Sequence, residues 1–323
     1  MAFSDSLSIE QYDFDGMPAW QLIAPSGAQA IIAERGATLL SWEPVPGKNV
    51  IAGYQSAEEL RNGVGYRSQI MAPWAGRISQ SIYSFGGRDY DLSWMKNGAT
   101  HGLVADKDFS VLSAGEALQM KHSFTGTTGY PWPFDLFVTY SLGAGADGEE
   151  RLVLCMEAVN TNKHPIPLSL GWRPYLQFPG SSISNLSVSV PARTRILVDS
   201  DMIPLAGEAA YGGVKAPFEI DYLGSTVLDS SFRSLIPNAD GVVNTVLTDP
   251  VTNARMEMVQ EPAEAPLVHV YTADGLEHGE RTAIALQPMS HVSDAFNRPD
   301  AAGSIGLGAG RSRSITATLT YDA

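Results

Sequence analysis

The sequence predicts an all-β protein, an antiparallel β-sandwich with very little helix. Along most of the chain, hydrophobic residues recur at every second position, which is the period of a half-buried strand. The 31 glycines and 20 prolines fall mostly between these alternating runs, where turns belong. Only one short segment of the 323 residues has the pattern of a helix. Alternation, turn placement and scarcity of helix therefore point to the same fold class.

The clearest strand patterns lie in segments that are also rich in β-branched and aromatic residues. These predicted strands are residues 28–34, 134–142, 152–159 and 315–321. Residues 84–90 predict a hairpin, because Gly86 and Gly87 can supply the positive φ angles of its turn.

The predicted helix is residues 56–61, with Ser56 as its N-cap and two glutamates in its first turn. Residues 301–310 are rich in glycine but lack the lysine, followed by serine or threonine, that ends a phosphate-binding loop. They therefore predict a surface loop. No repeat, low-complexity tract or linker divides the sequence. We therefore expect a single domain over residues 1–323.

Composition limits the classes of partner. With 44% hydrophobic and 17% charged residues, the chain can bury a large core. A net charge of -14 argues against nucleic acids and anionic membranes, which require clustered cations. No apolar run approaches the roughly 20 residues that span a bilayer, and the N-terminal segment lacks the features of a signal peptide. We expect a cytoplasmic protein.

Cofactor chemistry has no support in the sequence. Cys155 is the only cysteine, so neither an intrachain disulfide nor a cluster of thiolate ligands can form. The histidines show no metal-binding spacing, and no nucleophile elbow is present. We expect neither a metal nor a cofactor.

Several short motifs combine turn residues with polar groups. Two of them, residues 72–78 with Arg77 and residues 98–103 with His101, come early in the chain. The later ones centre on Arg173 and Tyr175, Asp229, His269, and Gln287. Together with residues 35–41, 50–56 and 290–297, they resemble in type and order the motifs of the aldose 1-epimerase (galactose mutarotase) family. The resemblance implies a galactose mutarotase-like β-supersandwich and a sugar ligand.

The resemblance also exposes departures at the positions that carry the family's chemistry. Family members usually have a histidine where this chain has Arg173 and a glutamate where it has Gln287. The histidine protonates the sugar ring oxygen, and the glutamate removes the proton from the anomeric hydroxyl. Neither a guanidinium nor an amide changes protonation near neutral pH. Each loss of an acid or base typically costs about 10²–10⁴-fold in rate, so we expect mutarotation of plain glucose or galactose to be weak or absent.

Two further departures concern the same pocket. Gly76 stands where the family often has an asparagine, and His269 stands where mammalian-type enzymes have a sugar-binding glutamine. His269 alternates with Val268 and Val270, so its side chain should point to the face opposite those two. It adds a group that can act as acid or base near neutral pH.

The resemblance, read residue by residue, yields a predicted site. The expected sugar contacts are Arg77, His101, Arg173, Tyr175, Asp229 and Gln287. The expected catalytic residues are His269 as the proton-transfer group, Asp229 as its orienting partner and His101 as a contact to a sugar oxygen. Trp74, Trp172 and Tyr175 either stack on the sugar or pack in the core.

The function that follows is a mutarotase-like isomerase with an altered acid–base set. Two guanidiniums, Arg77 and Arg173, suit an acidic sugar, unless Arg173 pairs with Asp229 or another carboxylate of the protein. A non-catalytic sugar-binding protein and a sugar lyase are the alternatives. The sequence leaves the sugar and the oligomeric state open.

Overall fold

The computed structural model describes residues 6–145, 148–276 and 278–323. The first five residues, which begin the segment in which no signal peptide is expected, lie outside this range. The first strands in chain order are β1 Ser8–Phe14, β2 Met17–Ile23, β3 Gln29–Ala33, β4 Thr38–Glu43, β5 Gln69–Met71, β6 Ile82–Phe85, β7 Arg88–Asp91, β8 Ser110–Ala114, β9 Leu118–Phe124, β10 Phe134–Ala144, β11 Glu150–Asn160, β12 Ile166–Pro167, β13 Gly171–Arg173 and β14 Tyr175–Leu176. The remaining strands are β15 Ser187–Val190, β16 Ala192–Ile196, β17 Tyr211–Gly213, β18 Phe218–Ile220, β19 Asp229–Leu235, β20 Val243–Thr248, β21 Arg255–Gln260, β22 Leu267–Tyr271, β23 Ile284–Met289, β24 Gly306–Leu307 and β25 Ser312–Asp322. The α-helices are α1 Ala57–Asn62 and α2 Ala302–Ile305.

Two large antiparallel sheets form the body of the fold. One has nine strands in the order β18-β15-β20-β21-β25-β11-β10-β9-β8. The other has eight, in the order β17-β16-β19-β22-β23-β13-β5, with β14 also paired to β23. The N-terminal strands β1 to β4 form a separate four-stranded sheet. The predicted all-β fold class is confirmed.

One buried cluster joins the two large sheets. Met156 of β11 and Leu319 of β25 come from the nine-stranded sheet. Trp172 of β13, Val268 of β22 and Leu286 of β23 come from the other. Alternation of side chains across each strand leaves the opposite face of the eight-stranded sheet free to carry polar groups.

The predicted strands all form. Residues 28–34, 134–142, 152–159 and 315–321 correspond to β3, β10, β11 and β25. The predicted hairpin is β6 and β7, with Gly86 at φ 60° and Gly87 at φ 77° in the turn. The predicted helix is α1, in which the Ser56 hydroxyl accepts a hydrogen bond from the Glu59 amide at 3.2 Å.

One prediction about regular structure is wrong. Residues 301–310 are not wholly a loop, because helix α2 and strand β24 lie within them. The Ile305 amide bonds to the Ala301 carbonyl at 2.9 Å, and the Ile305 side chain is buried. Tertiary burial of this side chain outweighs the low helix propensity of the neighbouring glycines. No helix within the described residues is long and apolar enough to cross a membrane.

Candidate active site

A cavity of about 310 Å³ opens on the polar face of the eight-stranded sheet. Six of the seven predicted site residues lie in its wall, namely Arg77, His101, Arg173, Asp229, His269 and Gln287. The volume is at the lower end of the range of small-molecule pockets. Folding thus brings together groups that lie far apart in the sequence.

A row of polar residues crosses the sheet beneath this cavity. The strand register pairs Ser231 of β19 with His269 of β22, and His269 with Gln287 of β23. The pairings Gly171↔Met289 and Tyr175↔Ala285 place Arg173 of β13 level with Gln287. Since neighbours across a sheet on one face lie side by side, the register alone aligns these four side chains.

His269 is held between two partners. Val268 and Val270 are fully buried, so His269 faces the cavity, as alternation predicts. Its Nε2 lies 2.9 Å from Oδ1 of Asp229, and its Nδ1 lies 2.8 Å from Oγ of Ser231. Asp229 and Ser231 are two residues apart on β19, and both line the cavity.

Asp229 stays ionised in this setting. Burial raises the pKa of its carboxyl. The hydrogen bond from His269 and the charges of His269, Arg173 and Arg77 together lower it by more, so the net pKa lies below its usual value. An ionised Asp229 accepts a hydrogen bond from Nε2–H of His269. In the neutral tautomer that this bond favours, the Nδ1 lone pair accepts from the Ser231 hydroxyl. The side chain of Asp229 is 41% exposed, so the carboxylate is also open to the cavity.

His101 enters from a turn above the sheet and contacts Arg173. It has a positive φ of 60°, and its amide donates to the Gly76 carbonyl at 2.7 Å. Its Nε2 lies 2.6 Å from Nη1 of Arg173. Burial, followed by the positive charges of Arg173, His269 and Arg77, holds the pKa of His101 well below its ordinary value. The ring is therefore neutral at pH 7.

A neutral imidazole has only one lone pair, so only one ring nitrogen of His101 can accept. The Gly76 amide also approaches its Nδ1, at 3.3 Å. We assign the lone pair to Nε2, because the contact with Arg173 is shorter and a guanidinium only donates. Nε2 of His101, a residue expected to contact a sugar oxygen, is thus already taken by Arg173.

Arg173 has no carboxylate partner among the described residues. Its Nε and Nη2 donate to the Tyr175 hydroxyl at 3.1 and 2.8 Å. Its guanidinium carbon lies 5.9 Å from the ring centre of Tyr66, 5.4 Å from that of Tyr175 and 5.2 Å from that of Tyr271. Aromatic faces stabilise the cation only in part, so the positive charge remains available to a ligand. The pairing of Arg173 with Asp229, which the sequence left open, does not form.

Tyr175 is outside the cavity wall. It is fully buried, and its hydroxyl donates to the Gly65 carbonyl at 2.9 Å while accepting from Arg173. Its hydroxyl therefore holds the Arg173 guanidinium in place from outside the cavity. Trp74 and Trp172 are buried in the main core and do not line the cavity either. For all three rings, packing away from the cavity replaces the alternative of stacking on a sugar.

Gln287 offers an unused donor. The residue is 1% exposed and lines the cavity, yet its Nε2 has no hydrogen-bond partner among the described residues. A buried donor left unpaired costs about 1–3 kcal/mol. A ligand oxygen in the cavity would remove that cost.

A close contact at the rim of the cavity accounts for the glycine at position 76. Gly76 has a φ of 71°, and a Cβ at this position would lie 2.0 Å from Oγ of Ser293. That hydroxyl in turn accepts from the Arg77 amide at 3.3 Å. A side chain at position 76 would therefore force Ser293, a cavity residue that sequence reasoning missed, to move. The Arg77 side chain is exposed at this rim.

Sequence reasoning also missed Ser231 and the apolar residues of the cavity. Alternation along β19 would have placed Ser231 on the face of Asp229, but nothing in the sequence pairs it with His269. The lining also contains the apolar side chains of Ile196, Val198, Met202, Pro204 and Val292. The cavity lining thus combines charged and hydrophobic residues.

Comparisons with known proteins give a consistent result. The family model described as aldose 1-epimerase matches residues 18–320. A galactose mutarotase-like protein from Clostridium acetobutylicum has a similar structure, with a TM-score of 0.82, 16% identity and 99% of each chain covered. Galactose 1-epimerase from Lactobacillus acidophilus gives a TM-score of 0.78, 18% identity and 99% coverage of each chain. A GalM/aldose epimerase homologue from C. elegans gives 0.76, 16% and 99% of each chain. At these identities the structural likeness shows the fold alone, and no functionally curated protein has significant similarity to the chain.

Proposed function

The chain belongs to the aldose 1-epimerase family, and from that premise we propose that it is a mutarotase-like isomerase whose proton-transfer group is His269. Its single domain, residues 1–323, would bind a sugar in the cavity on the eight-stranded sheet. The observation that carries the proposal is the hydrogen-bonded pair of His269 and Asp229, 2.9 Å apart, in the cavity wall.

Opening a pyranose ring requires a base for the anomeric hydroxyl and stabilisation of the ring oxygen. His269 accepts the proton at Nδ1, once the rotatable Ser231 hydroxyl turns away to make room for the sugar. Asp229 stabilises the resulting imidazolium through Nε2–H. The bond between C1 and the ring oxygen breaks as C1 becomes a carbonyl. After rotation about the C1–C2 bond, the ring oxygen attacks the other face of that carbonyl, and His269 returns the proton to the anomeric oxygen.

Arg173 and Gln287 act in this proposal as hydrogen-bond donors. Both line the cavity, and neither changes protonation near neutral pH. A fixed cation and an unpaired amide directed at a developing oxyanion stabilise it without transferring a proton. They take over the electrostatic part of the role that a titrating acid has elsewhere in the family.

The preferred substrate in this proposal is an acidic sugar, such as a uronate. Arg173 and Arg77 both line the cavity, and no carboxylate among the described residues pairs with either. A guanidinium fork binds a carboxylate with two parallel hydrogen bonds. Asp229 balances one of the two positive charges, which leaves a net attraction for an anion.

A non-catalytic sugar-binding protein is the second candidate. Both ring nitrogens of His269 have partners, and Nε2 of His101 is occupied by Arg173. If the Ser231 hydroxyl does not turn away, no imidazole lone pair reaches the sugar.

Exchange between anomers of D-glucuronate and of D-galactose, followed by NMR, tests the proposal. We expect exchange above the buffer rate for glucuronate and about 100-fold less for a His269→Gln variant that still binds the sugar. A surface variant, His164→Gln, should match the wild type, since His164 is exposed and outside the cavity. Binding by thermal shift without any enzyme-dependent exchange would instead establish the binding protein.

Binding titrations with glucuronate and glucose test the substrate class. Glucuronate should bind more tightly than glucose, and Arg173→Met should weaken glucuronate binding more than glucose binding. Equal affinities for the two sugars in the wild type would count against an acidic substrate.

A further inference from the structure

We propose that the cavity carries a second activity, hydrolysis of an O-acyl ester on a sugar, with Ser231 as the nucleophile. The proposal goes beyond anomer exchange, because it concerns an acyl carbon and not the anomeric carbon. It rests on a continuous hydrogen-bonded chain of serine, histidine and aspartate in the wall of the cavity.

The geometry of this chain is that of an activated nucleophile. Oγ of Ser231 lies 2.8 Å from Nδ1 of His269, and Nε2 of His269 lies 2.9 Å from Oδ1 of Asp229. A nucleophile within hydrogen-bond reach of a base, with a third group orienting that base, defines such a site. The two ring nitrogens exchange the partners they have in the serine proteases, but the roles of the three residues are unchanged.

Strand geometry fixes the chain in place. Ser231 and His269 are cross-strand partners on β19 and β22, and Asp229 lies two residues earlier on the same face of β19. Ser231 is partly exposed in the cavity, so a substrate can reach its hydroxyl. The adjacent Ser230 is 3% exposed and faces away from the cavity, which makes it a natural control.

Donors for an oxyanion lie in the same wall. Gln287 is the cross-strand neighbour of His269, and its buried Nε2 has no partner among the described residues. Arg173, level with Gln287, adds a positive charge. Donors of this kind stabilise the tetrahedral intermediate of acyl transfer.

The mixed lining of the cavity matches an acylated sugar. The polar row accepts hydroxyl groups, and the apolar side chains of Ile196, Val198, Met202 and Pro204 in the same lining suit a short acyl chain. A free sugar has no apolar substituent of this size to place there. The ligand class is therefore a sugar with an acetyl or other short acyl ester.

The reaction is balanced with water as the only co-reactant. Ser231 Oγ bonds to the ester carbonyl carbon while its proton passes to Nδ1 of His269. The ester C–O bond breaks, and the sugar oxygen leaves with that proton. Water then attacks the acyl-serine and gives one proton to His269, which returns it to Ser231 as the carboxylic acid departs. No group is oxidised or reduced.

Covalent labelling of the wild-type protein is the primary test. We expect a fluorophosphonate probe to modify one residue, Ser231, as located by peptide mass spectrometry, because only an activated serine reacts with it. If Ser231 merely fixes the orientation of His269, no adduct forms on it, and the proposal is overturned. This measurement needs no variant and so does not depend on how a substitution affects folding.

Hydrolysis of an O-acetylated methyl glucoside provides the second arm. A methyl glycoside cannot exchange anomers, so failure here leaves the isomerase proposal untouched, and failure of anomer exchange leaves this one untouched. Ser231→Ala should lower the hydrolysis rate about 100-fold or more, while Ser230→Ala should keep it. Equal hydrolysis by wild type and Ser231→Ala would overturn the assignment.

Discussion

At the scale of single residues, the charged and titrating groups of the cavity are each held by a neighbour. Arg173 is held by the Tyr175 hydroxyl and directs its charge at Nε2 of His101. His269 is held by Asp229. Hydrogen bonds therefore fix the positions of these groups in the cavity wall.

A histidine at position 173 and a glutamate at position 287, which the family resemblance implies as acid and base, should introduce mutarotation of a neutral sugar. In an Arg173→His, Gln287→Glu double variant, both groups can change protonation, so we expect galactose anomer exchange to rise about 100-fold or more above the wild type. Each single variant supplies only one group and should gain less. A folded double variant that exchanges galactose no faster than the wild type would show that other cavity residues limit the reaction.

Gly76 and Ser293 should be energetically coupled. Gly76→Ala places a Cβ 2.0 Å from Oγ of Ser293 at a φ of 71°, so we expect a loss of about 1–3 kcal/mol in the free energy of unfolding. In a Ser293→Gly background that loss should shrink by about 1 kcal/mol.

Gly16→Ala is the matched control for this pair. Gly16 has a similar φ of 80° with no atom within 4 Å of its added Cβ. Its substitution therefore carries the backbone strain alone and should be independent of Ser293. Chemical denaturation measures all of these variants, and an unchanged cost of Gly76→Ala in the Ser293→Gly background would contradict the coupling.

At the scale of elements, the register of the strands brings the residues of the site together. The pairings Ser231↔His269 and His269↔Gln287 put three polar groups in one row, and a shift of one residue would send all of β22's polar side chains into the core. Buried Val268 and Val270 on the other face oppose such a shift. The core therefore determines which side chains face the cavity.

The single helix foreseen in the sequence offers a test of local capping. Ser56→Ala removes the hydroxyl that accepts from the Glu59 amide at 3.2 Å, and we expect the free energy of unfolding to fall by about 1 kcal/mol. Urea denaturation would measure it. Ser225→Ala is the control, because Ser225 is exposed and lies outside the helices. An equal effect of the two substitutions would show that loss of the N-cap hydrogen bond does not explain the change in the free energy of unfolding.

At the scale of the whole molecule, burial of histidines couples stability to pH. His291 lies outside the cavity, with its Nδ1 2.9 Å from the Ser290 hydroxyl. Burial, with a further contribution from the charge of Arg313, lowers the pKa of His291 to about 3. An imidazole in the unfolded chain has a pKa of about 6.5.

The direction of the pH dependence follows from that difference. Because the folded-state pKa is lowered, the unfolded chain binds the proton first as the pH falls. The stability contribution of His291 is complete above pH of about 6.5 and is lost as the pH falls toward 3, by about 1.4 kcal/mol per pH unit. His291→Gln should flatten the dependence of the unfolding free energy between pH 6 and pH 4 by about that slope. His164→Gln, at an exposed position, should leave it unchanged, and an unaltered slope in His291→Gln would refute this assignment.

The sequence by itself determined the fold class and most of the groups in the site. Period-two alternation along β10, β11 and β25 fixes strands without reference to the rest of the molecule, and the spacing of Val268, His269 and Val270 fixes which side chain leaves the core. Motif order was sufficient to select six of the residues that converge on the cavity.

Only the tertiary structure decided how those groups contact one another. The partners of His269 lie on another strand, and the partner of His101 is 72 residues away, so no local pattern could give the Ser231–His269–Asp229 chain or the contact with Arg173. Helix α2 forms in a glycine-rich segment because Ile305 is buried by distant elements. Hydrogen bonds and burial act between atoms that folding brings close, whereas periodicity and capping act within a few residues of chain.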